Sequence, residues 1–487
     1  MGSPQAGFAP FPGAPLVVSN LIGGYEQPAQ SEQWLDKLRP SDGTLFCRLP
    51  RSGEADVEAA VRAARRAQEA WAERTAVERG EILREIALLL RERREELSQV
   101  VAEETGKPLA LARGETDAAV EMGLFVAGEG RRYYGRTTTS SMRHRTVMAV
   151  RQPVGVAGLI VSFNTPLPNV AWKAFPALLC GNAAVLKPSE EAPASAYLFA
   201  TACAEAGLPA GVLNVVHGLG AEAGAALVRH PGVDLVSFTG SAETGRWVNE
   251  TAARRLAKVC LELGGKNALV VCDDSDLDNA VRWACASAFS NAGQRCASAS
   301  RIVVFDAVYD EFRSRFVEAA QCLDDVGPVI SERALERILA VLERARAEGA
   351  AVLWGGERLD RPGWYLAPTV LEGVAPKAEI SRVELFGPVT ILYRAPSFDE
   401  ALALVNDSPY GLTAAIHTSS LHRALRFAEK VQTGVVVVNG GTHGSEPHMG
   451  FGGVKQSGTG WREAGVEALD VYSEWKYVSL IADPGQV

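Results

Sequence analysis

Leu235-Val-Ser-Phe-Thr-Gly-Ser-Ala-Glu-Thr-Gly245 passes from an apolar run into a glycine and then into a helix opening. A strand is expected to end at Phe238, Gly240 permits a tight turn, and a helix is expected to begin near Ser241. The free backbone N–H groups at such a helix start attract a phosphate. Strand–glycine–helix joints occur in any α/β domain, so the flanking sequence must decide what this one means.

Upstream, residues 157–161, 182–186 and 212–216 are short apolar runs of the same kind as residues 233–238, and helical stretches alternate with them. That alternation predicts a parallel, doubly wound sheet. A second α/β series starts after Leu263, with strand signals at 267–271, 302–305, 389–392, 413–416 and 435–438. A domain boundary is therefore expected at 262–265. Before the first sheet, residues 54–71 repeat apolar positions on a helical period. Thr75 and Glu78 make a capping box for a second helix, which runs through Leu97 to a stop at Gly106 and Pro108. A third helix is expected over 110–130. Residues 131–152 read as a strand pair exposed on both faces, and the alternating tail 470–480 suits its free edge. Residues 1–15 read as a loose Gly/Pro-rich arm, and residues 16–50 as short strands and turns.

The 487 residues suggest about three domains. A hydrophobic share of 47% with 22% charged residues describes a soluble globular chain. The net charge of −9, without a basic block, argues against a nucleic-acid partner. Eight scattered cysteines without a C-x-x-C pair indicate neither a metal site nor a disulfide framework, and fit a reducing cytoplasm. The N-terminus lacks the pattern of a signal peptide, and no apolar run reaches membrane-spanning length.

Three further stretches carry chemistry. In Ser290-Asn-Ala-Gly-Gln-Arg-Cys-Ala-Ser298, Cys296 lies among small residues between a helix and a strand. Backbone N–H groups exposed there would lower its pKa and hold a developing oxyanion. After the strand at 182–186, Lys187 and Glu190 fall where a sheet's carboxyl edge opens onto a ligand crevice. An acidic residue there suits a ribose diol. In Cys260-Leu-Glu-Leu-Gly-Gly-Lys-Asn267, Glu262 is flanked by leucines. Its apolar surroundings would raise its pKa and suit a general base, while an ion pair with Lys266 is the structural alternative.

Glu262-Leu-Gly-Gly-Lys266 followed by Gly293-Gln-Arg-Cys296 resembles the aldehyde dehydrogenase superfamily. Phe163-Asn-Thr-Pro166, Leu186-Lys-Pro-Ser-Glu190, Phe238-Thr-Gly-Ser241, Glu384-Leu-Phe-Gly-Pro388 and Phe451-Gly-Gly-Val-Lys-Gln-Ser-Gly458 follow that family's order, so the likeness spans about residues 20–480. It implies Cys296 as nucleophile, Glu262 as the base for a hydrolytic water, and an oxyanion hole made by the Asn164 amide and the Cys296 N–H. It also implies NAD, with NADP as a second option. Lys187 and Glu190 would hold the adenosine ribose and Ser241, after Phe238 and Gly240, the pyrophosphate. Glu384 would bind the nicotinamide ribose, with Phe386 beside the nicotinamide. No metal is implied.

The implied fold is α/β: a Rossmann-like cofactor domain (1–130 and 153–262), an α/β catalytic domain (263–465) and a small β oligomerisation ribbon (131–152 and 466–487). A small-molecule aldehyde, a homodimer or homotetramer and a cytoplasmic location go with it. The alternatives are a CoA-acylating enzyme, against which Glu262 speaks, and a non-catalytic relative, against which Cys296, Glu262 and Asn164 together speak. Departures from the family pattern include Thr165 in place of a bulky aromatic and one extra residue in Gly460-Trp-Arg-Glu463, so Glu463 is given no role. Met122, Thr165, Pro168, Asn169, Arg295, Ala297 and the loop 440–450 with His443 and His448 are candidates for the substrate channel. Arg295 could meet a substrate carboxylate, as in a semialdehyde, and a structural Arg or one facing the cofactor side is the alternative.

Overall fold

A computed structural model describes residues 15–482 except 325; the arm expected over 1–15 lies almost wholly outside them. Two seven-stranded sheets form the body. In the first, the strands Lys258–Leu263, Leu235–Gly240, Val156–Ile160, Ala183–Lys187 and Leu213–Val215 run parallel in that spatial order. The hairpin Asn20–Ile22 and Tyr25–Gln27 closes one edge antiparallel. In the second, Thr369–Glu372, Val389–Ala395, Ala299–Phe305, Asn267–Val271, Thr413–His417 and Val435–Val438 are parallel, with Ala351–Trp354 antiparallel at the edge. Parallel strands need covered faces, and the central runs Val156–Ile160, Ala183–Lys187 and Asn267–Val271 are buried from end to end. The mixed α/β class expected from the alternation is the class observed.

The helices expected before the first sheet are present. The capping box of Ala76–Glu92 is formed: Thr75 Oγ1 accepts from the Glu78 N–H at 3.2 Å, and Glu78 Oε2 accepts from the Thr75 N–H at 2.7 Å. The helix does not continue to Gly106, however. It breaks at Arg93 (φ −89°, ψ 17°), and a separate helix, Arg94–Thr105, ends on Gly106 in the left-handed region. Nothing local announces the break, because Arg91-Glu-Arg-Arg-Glu-Glu96 contains no helix breaker. Arg145–Pro153 pairs with Arg136–Thr138 on one side and with the tail strand Ser473–Ile481 on the other. Among the described residues, no helix is long and apolar enough to cross a membrane.

Candidate active site

Four neighbouring parallel strands of the first sheet deliver their candidates to one edge. Asn164 follows Val156–Ile160, Lys187 ends Ala183–Lys187, Gly240 ends Leu235–Gly240, and Glu262 lies one residue from the end of Lys258–Leu263. The Cys296 loop sits at the opposite edge type, the amino ends of the second sheet, just before Ala299–Phe305. The carboxyl edge of one sheet therefore faces the amino edge of the other. Asn291 joins them, its Nδ2 donating to the Asn164 carbonyl at 3.0 Å.

The Cys296 loop is held by its backbone. Asn291, Ala292 and Gly293 are left-handed in succession (φ 55°, 52° and 65°). A Cβ on Gly293 would lie 2.1 Å from the Gly387 carbonyl oxygen, so only glycine fits. Asn267 Nδ2 donates to the carbonyls of Cys296 (2.7 Å) and Ser298 (3.0 Å), and Thr442 Oγ1 to that of Ala297 (2.6 Å). These bonds occupy carbonyls and leave Cys296 half-buried. The expected depression of its pKa is not found. Burial pushes the thiol up to about 12, Glu384 and Glu262 add to this, and Arg295 and the Ala297 N–H oppose it only weakly. Desolvation outweighs the one N–H and one cation present.

Glu262 is 5% exposed, and neither carboxyl oxygen has a partner among the described residues. Gly452 passes so close that a Cβ there would lie 2.6 Å from Oε1. The suggested ion pair with Lys266 does not form. Burial, and Arg301 after it, push Lys266 down to about 7. Burial also raises Glu262 well above the usual carboxylate range, and repulsion from Glu463 adds to this against Lys173 and Arg462. Glu463, given no role from sequence, thus borders the site. It is sealed against Lys173, and accepts from Ser237 Oγ at 2.9 Å. The missed signal was Lys173 itself, a lone cation in the apolar run Val170-Ala-Trp-Lys-Ala-Phe175, which requires a buried partner.

Asn164 is pinned through its carbonyl by Lys107 Nζ (2.7 Å) as well as Asn291, and Lys107 is paired in turn with Glu115 (2.7 Å). Its side-chain Nδ2 has no protein partner among the described residues, so a donor is left over. On the other flank, Lys187 Nζ bonds Glu190 at 3.0 Å. Burial disfavours the Glu190 charge, but Lys187 and the N–H groups of Glu190 and Gly220 prevail and hold its pKa low. Ser241 caps the helix Ala242–Ala253, accepting from Thr244 N–H at 3.2 Å. Phe238 is buried beneath Gly240, whose added Cβ would strike its ring at 2.5 Å. Glu384 accepts from the Gly265 N–H at 3.1 Å, and burial raises it to about 7. Phe386, left-handed at φ 58°, meets Phe163 edge-on at 5.7 Å.

The channel candidates divide. Met122 is wholly buried in the core of the first sheet's helices, so it does not line a channel. His448 is exposed. Arg295 acts electrostatically on the thiol and on His443. The Arg295 Nε is buried without a partner, and no carboxylate pairs with its guanidinium among the described residues. Burial, helped by Arg295, pushes His443 down to about 4.

The model of the aldehyde dehydrogenase family matches residues 26–478. The α-ketoglutaric semialdehyde dehydrogenase of Bacillus subtilis is 36% identical over 473 residues, 94% of this chain and 97% of that protein. The NADP(+) succinate-semialdehyde dehydrogenase GabD of Escherichia coli is 38% identical, covering 94% and 97%. The crystal structure of an NAD-dependent aldehyde dehydrogenase from Sinorhizobium meliloti superposes with a TM-score of 0.94 at 35% identity, covering 96% of this chain and 95% of that one.

Proposed function

Because the chain belongs to the aldehyde dehydrogenase family, and oxidises an aldehyde to a carboxylic acid with NAD or NADP, we propose that Cys296, Glu262 and Asn164 carry the reaction. The supporting observation is one arrangement: a half-buried thiol and a spare amide N–H on loops joined by Asn291, with an unpaired buried carboxyl on the neighbouring strand end close enough to act on the thiol electrostatically. Neither the CoA-acylating nor the non-catalytic alternative is favoured.

The residues around Lys187, Ser241 and Glu384 fit a dinucleotide. A capped helix start suits the pyrophosphate, and Glu190 and Glu384 are acceptors for ribose hydroxyls. The nicotinamide, when bound, accepts a hydride. The Cys296 thiolate adds to the aldehyde carbon, and the new alkoxide takes hydrogen bonds from Asn164 Nδ2 and the Cys296 N–H. Collapse of this thiohemiacetal expels hydride and leaves a thioester on Sγ. Glu262 removes a proton from water as its oxygen attacks the thioester carbon, and the acid leaves with the thiolate restored.

We assign the substrate to the ω-carboxy aldehydes. Arg295 is the carrying observation, a half-buried guanidinium without an anionic partner beside the nucleophile. The two relatives named above as semialdehyde dehydrogenases fit that assignment. Kinetics with NAD across succinic semialdehyde, an aliphatic aldehyde of equal length and benzaldehyde test it. The semialdehyde should have the highest kcat/KM, and Arg295→Leu should lower that value about tenfold or more while sparing the uncharged substrates. Equal loss for all three would remove Arg295 from the role.

We also infer a cofactor domain (1–130 and 153–262), a catalytic domain (263–465) and an oligomerisation ribbon (131–152 and 466–487), following the division between sheets. The ribbon's exposed Tyr477, Leu480 and Ile481 suit a homodimer or homotetramer. A cytoplasmic location suits the eight free cysteines.

A further inference from the structure

The Asn164 side chain is useful as an oxyanion donor only if its nitrogen, not its oxygen, faces the reacting centre. Nothing intrinsic to a carboxamide decides this, since its two ends differ little in size and are easily exchanged by rotation. The surrounding groups do decide it. Asn169, on the first turn of the helix Pro166–Leu179, places its amide between two acceptors. One is the Ser162 backbone carbonyl, at 3.3 Å, and the other is Asn164 Oδ1, at 3.1 Å. A backbone carbonyl can only accept, so the end of Asn169 that faces Ser162 must be its NH2 group. That same NH2 group faces Asn164, and its second hydrogen requires an acceptor there. The orientation of Asn164 is thus inherited from the main chain through Asn169.

We propose that Asn169 is the positioning residue for the oxyanion hole: it fixes the rotamer in which Asn164 presents Nδ2 to the alkoxide. The inference rests on the assignment of Asn164 as the oxyanion donor. Asn169 is 9% exposed and Asn164 6%, so water competes poorly for either amide and the hydrogen-bond choice is strict. The Asn164 carbonyl is independently held by Lys107 and Asn291, which fix the backbone but leave the side-chain torsion free. Only Asn169 supplies a side-chain bond to the carboxamide among the described residues.

The test uses the difference between an isosteric and an apolar replacement. The ionised carboxylate introduced by Asn169→Asp would be acceptor-only. It would take the Asn164 Nδ2 hydrogen and turn Oδ1 toward the alkoxide, whereas a leucine leaves the amide free to find either rotamer. Asn169→Asp should therefore lower the rate of the NADH burst about a hundredfold and Asn169→Leu about tenfold, on the scale of losing one oxyanion donor. KM for the aldehyde and NAD affinity should stay within about threefold of the parent. If the Asp variant does not fold, Asn169→Ser, whose hydroxyl is too short to reach Asn164, is read against the parent: it should slow the burst about tenfold, as Leu does, and a parent-like burst rate would overturn the positioning role. Asn164→Ala should match the Asp loss, and the double variant Asn164→Ala with Asn169→Asp should be no slower than Asn164→Ala alone. Additive losses, or an Asp variant no worse than Leu, would overturn the positioning role while leaving Asn164 in place. A full burst in Asn164→Ala would instead overturn the oxyanion assignment and the proposal with it.

Discussion

Lys173 and Glu463 lie 290 residues apart in sequence and form an ion pair that is 0% and 3% exposed at its side chains, electrostatically coupled to the unpaired carboxyl of Glu262. Ser237 completes the group, accepting from Lys173 at 2.8 Å and donating to Glu463 at 2.9 Å. The first strand edge, the helix behind it and the Phe451–Glu463 bridge are joined through these atoms. Charges sealed in this way tolerate the loss of one partner poorly.

Removing either partner is expected to act on stability and on the pH profile at once. Lys173→Met or Glu463→Gln should each cost about 3 kcal/mol, read from chemical denaturation, because an uncompensated polar group remains buried. As the proposed base, Glu262 works deprotonated, so deacylation should rise with pH through its pKa. Lys173 opposes that pKa and Glu463 raises it. The rising limb of steady turnover should therefore move to higher pH in Lys173→Met and to lower pH in Glu463→Gln. Shifts in the same direction for both would show that the pair does not act on Glu262.

For Glu262→Gln the two half-reactions should separate. Hydride transfer needs the thiolate and the spare Asn164 donor, while thioester hydrolysis needs a base for water. A pre-steady-state NADH burst of near-normal amplitude should be followed by turnover reduced about a hundredfold or more. Loss of the burst with normal hydrolysis of a preformed acyl-enzyme would place Glu262 earlier in the cycle.

The Cys296 thiol gives a third measurement. With its pKa pushed up to about 12, the cofactor-free enzyme holds little thiolate at neutral pH. Its alkylation by iodoacetamide should accelerate about tenfold per pH unit from roughly 7 to 10, without a plateau. Cys296→Ala should abolish both this reaction and aldehyde oxidation while NAD affinity is kept. A plateau below pH 9 would mean that desolvation is offset by donors the structure does not provide.

How far the sequence reveals these arrangements depends on whether the cause is local. Val435–Val438 and Asn267–Val271 were legible to the residue, because uninterrupted apolar runs between turns have one reading in an α/β chain. The break at Arg93 was not, since it falls in a polar stretch without a helix breaker. Cys296, Glu262 and Asn164 were legible as motifs, but the elevated thiol pKa was not, because it depends on burial and on carboxylates brought in from distant segments. Met122 fits a helical period that core and channel walls share, and only three-dimensional packing assigned it to the core. Glu463 needed a partner that no local pattern could name.

The last prediction concerns cofactor choice: NAD should be preferred over NADP, and Glu190 should be the reason. Its carboxylate stands at the open strand edge with 34% of its side chain exposed, and Lys187 at 3.0 Å keeps it ionised. Such a group accepts hydrogen bonds from ribose hydroxyls but repels a 2′-phosphate. Two unit charges about 4 Å apart at an effective dielectric near 20 interact by roughly 4 kcal/mol. Lys187 offsets part of this, and a third of it still gives about tenfold discrimination. The E. coli relative GabD is named as NADP(+)-dependent, so the fold accommodates either cofactor and the choice must be made by side chains such as this one. Glu190→Gln removes the repulsion while keeping an acceptor for the diol, and should raise the NADP-to-NAD ratio of kcat/KM about tenfold, mostly by improving NADP. Glu190→Lys should go further, since a cation would then face the phosphate. An NADP preference in the parent enzyme, or an unchanged ratio in both variants, would exclude Glu190 as the discriminating group.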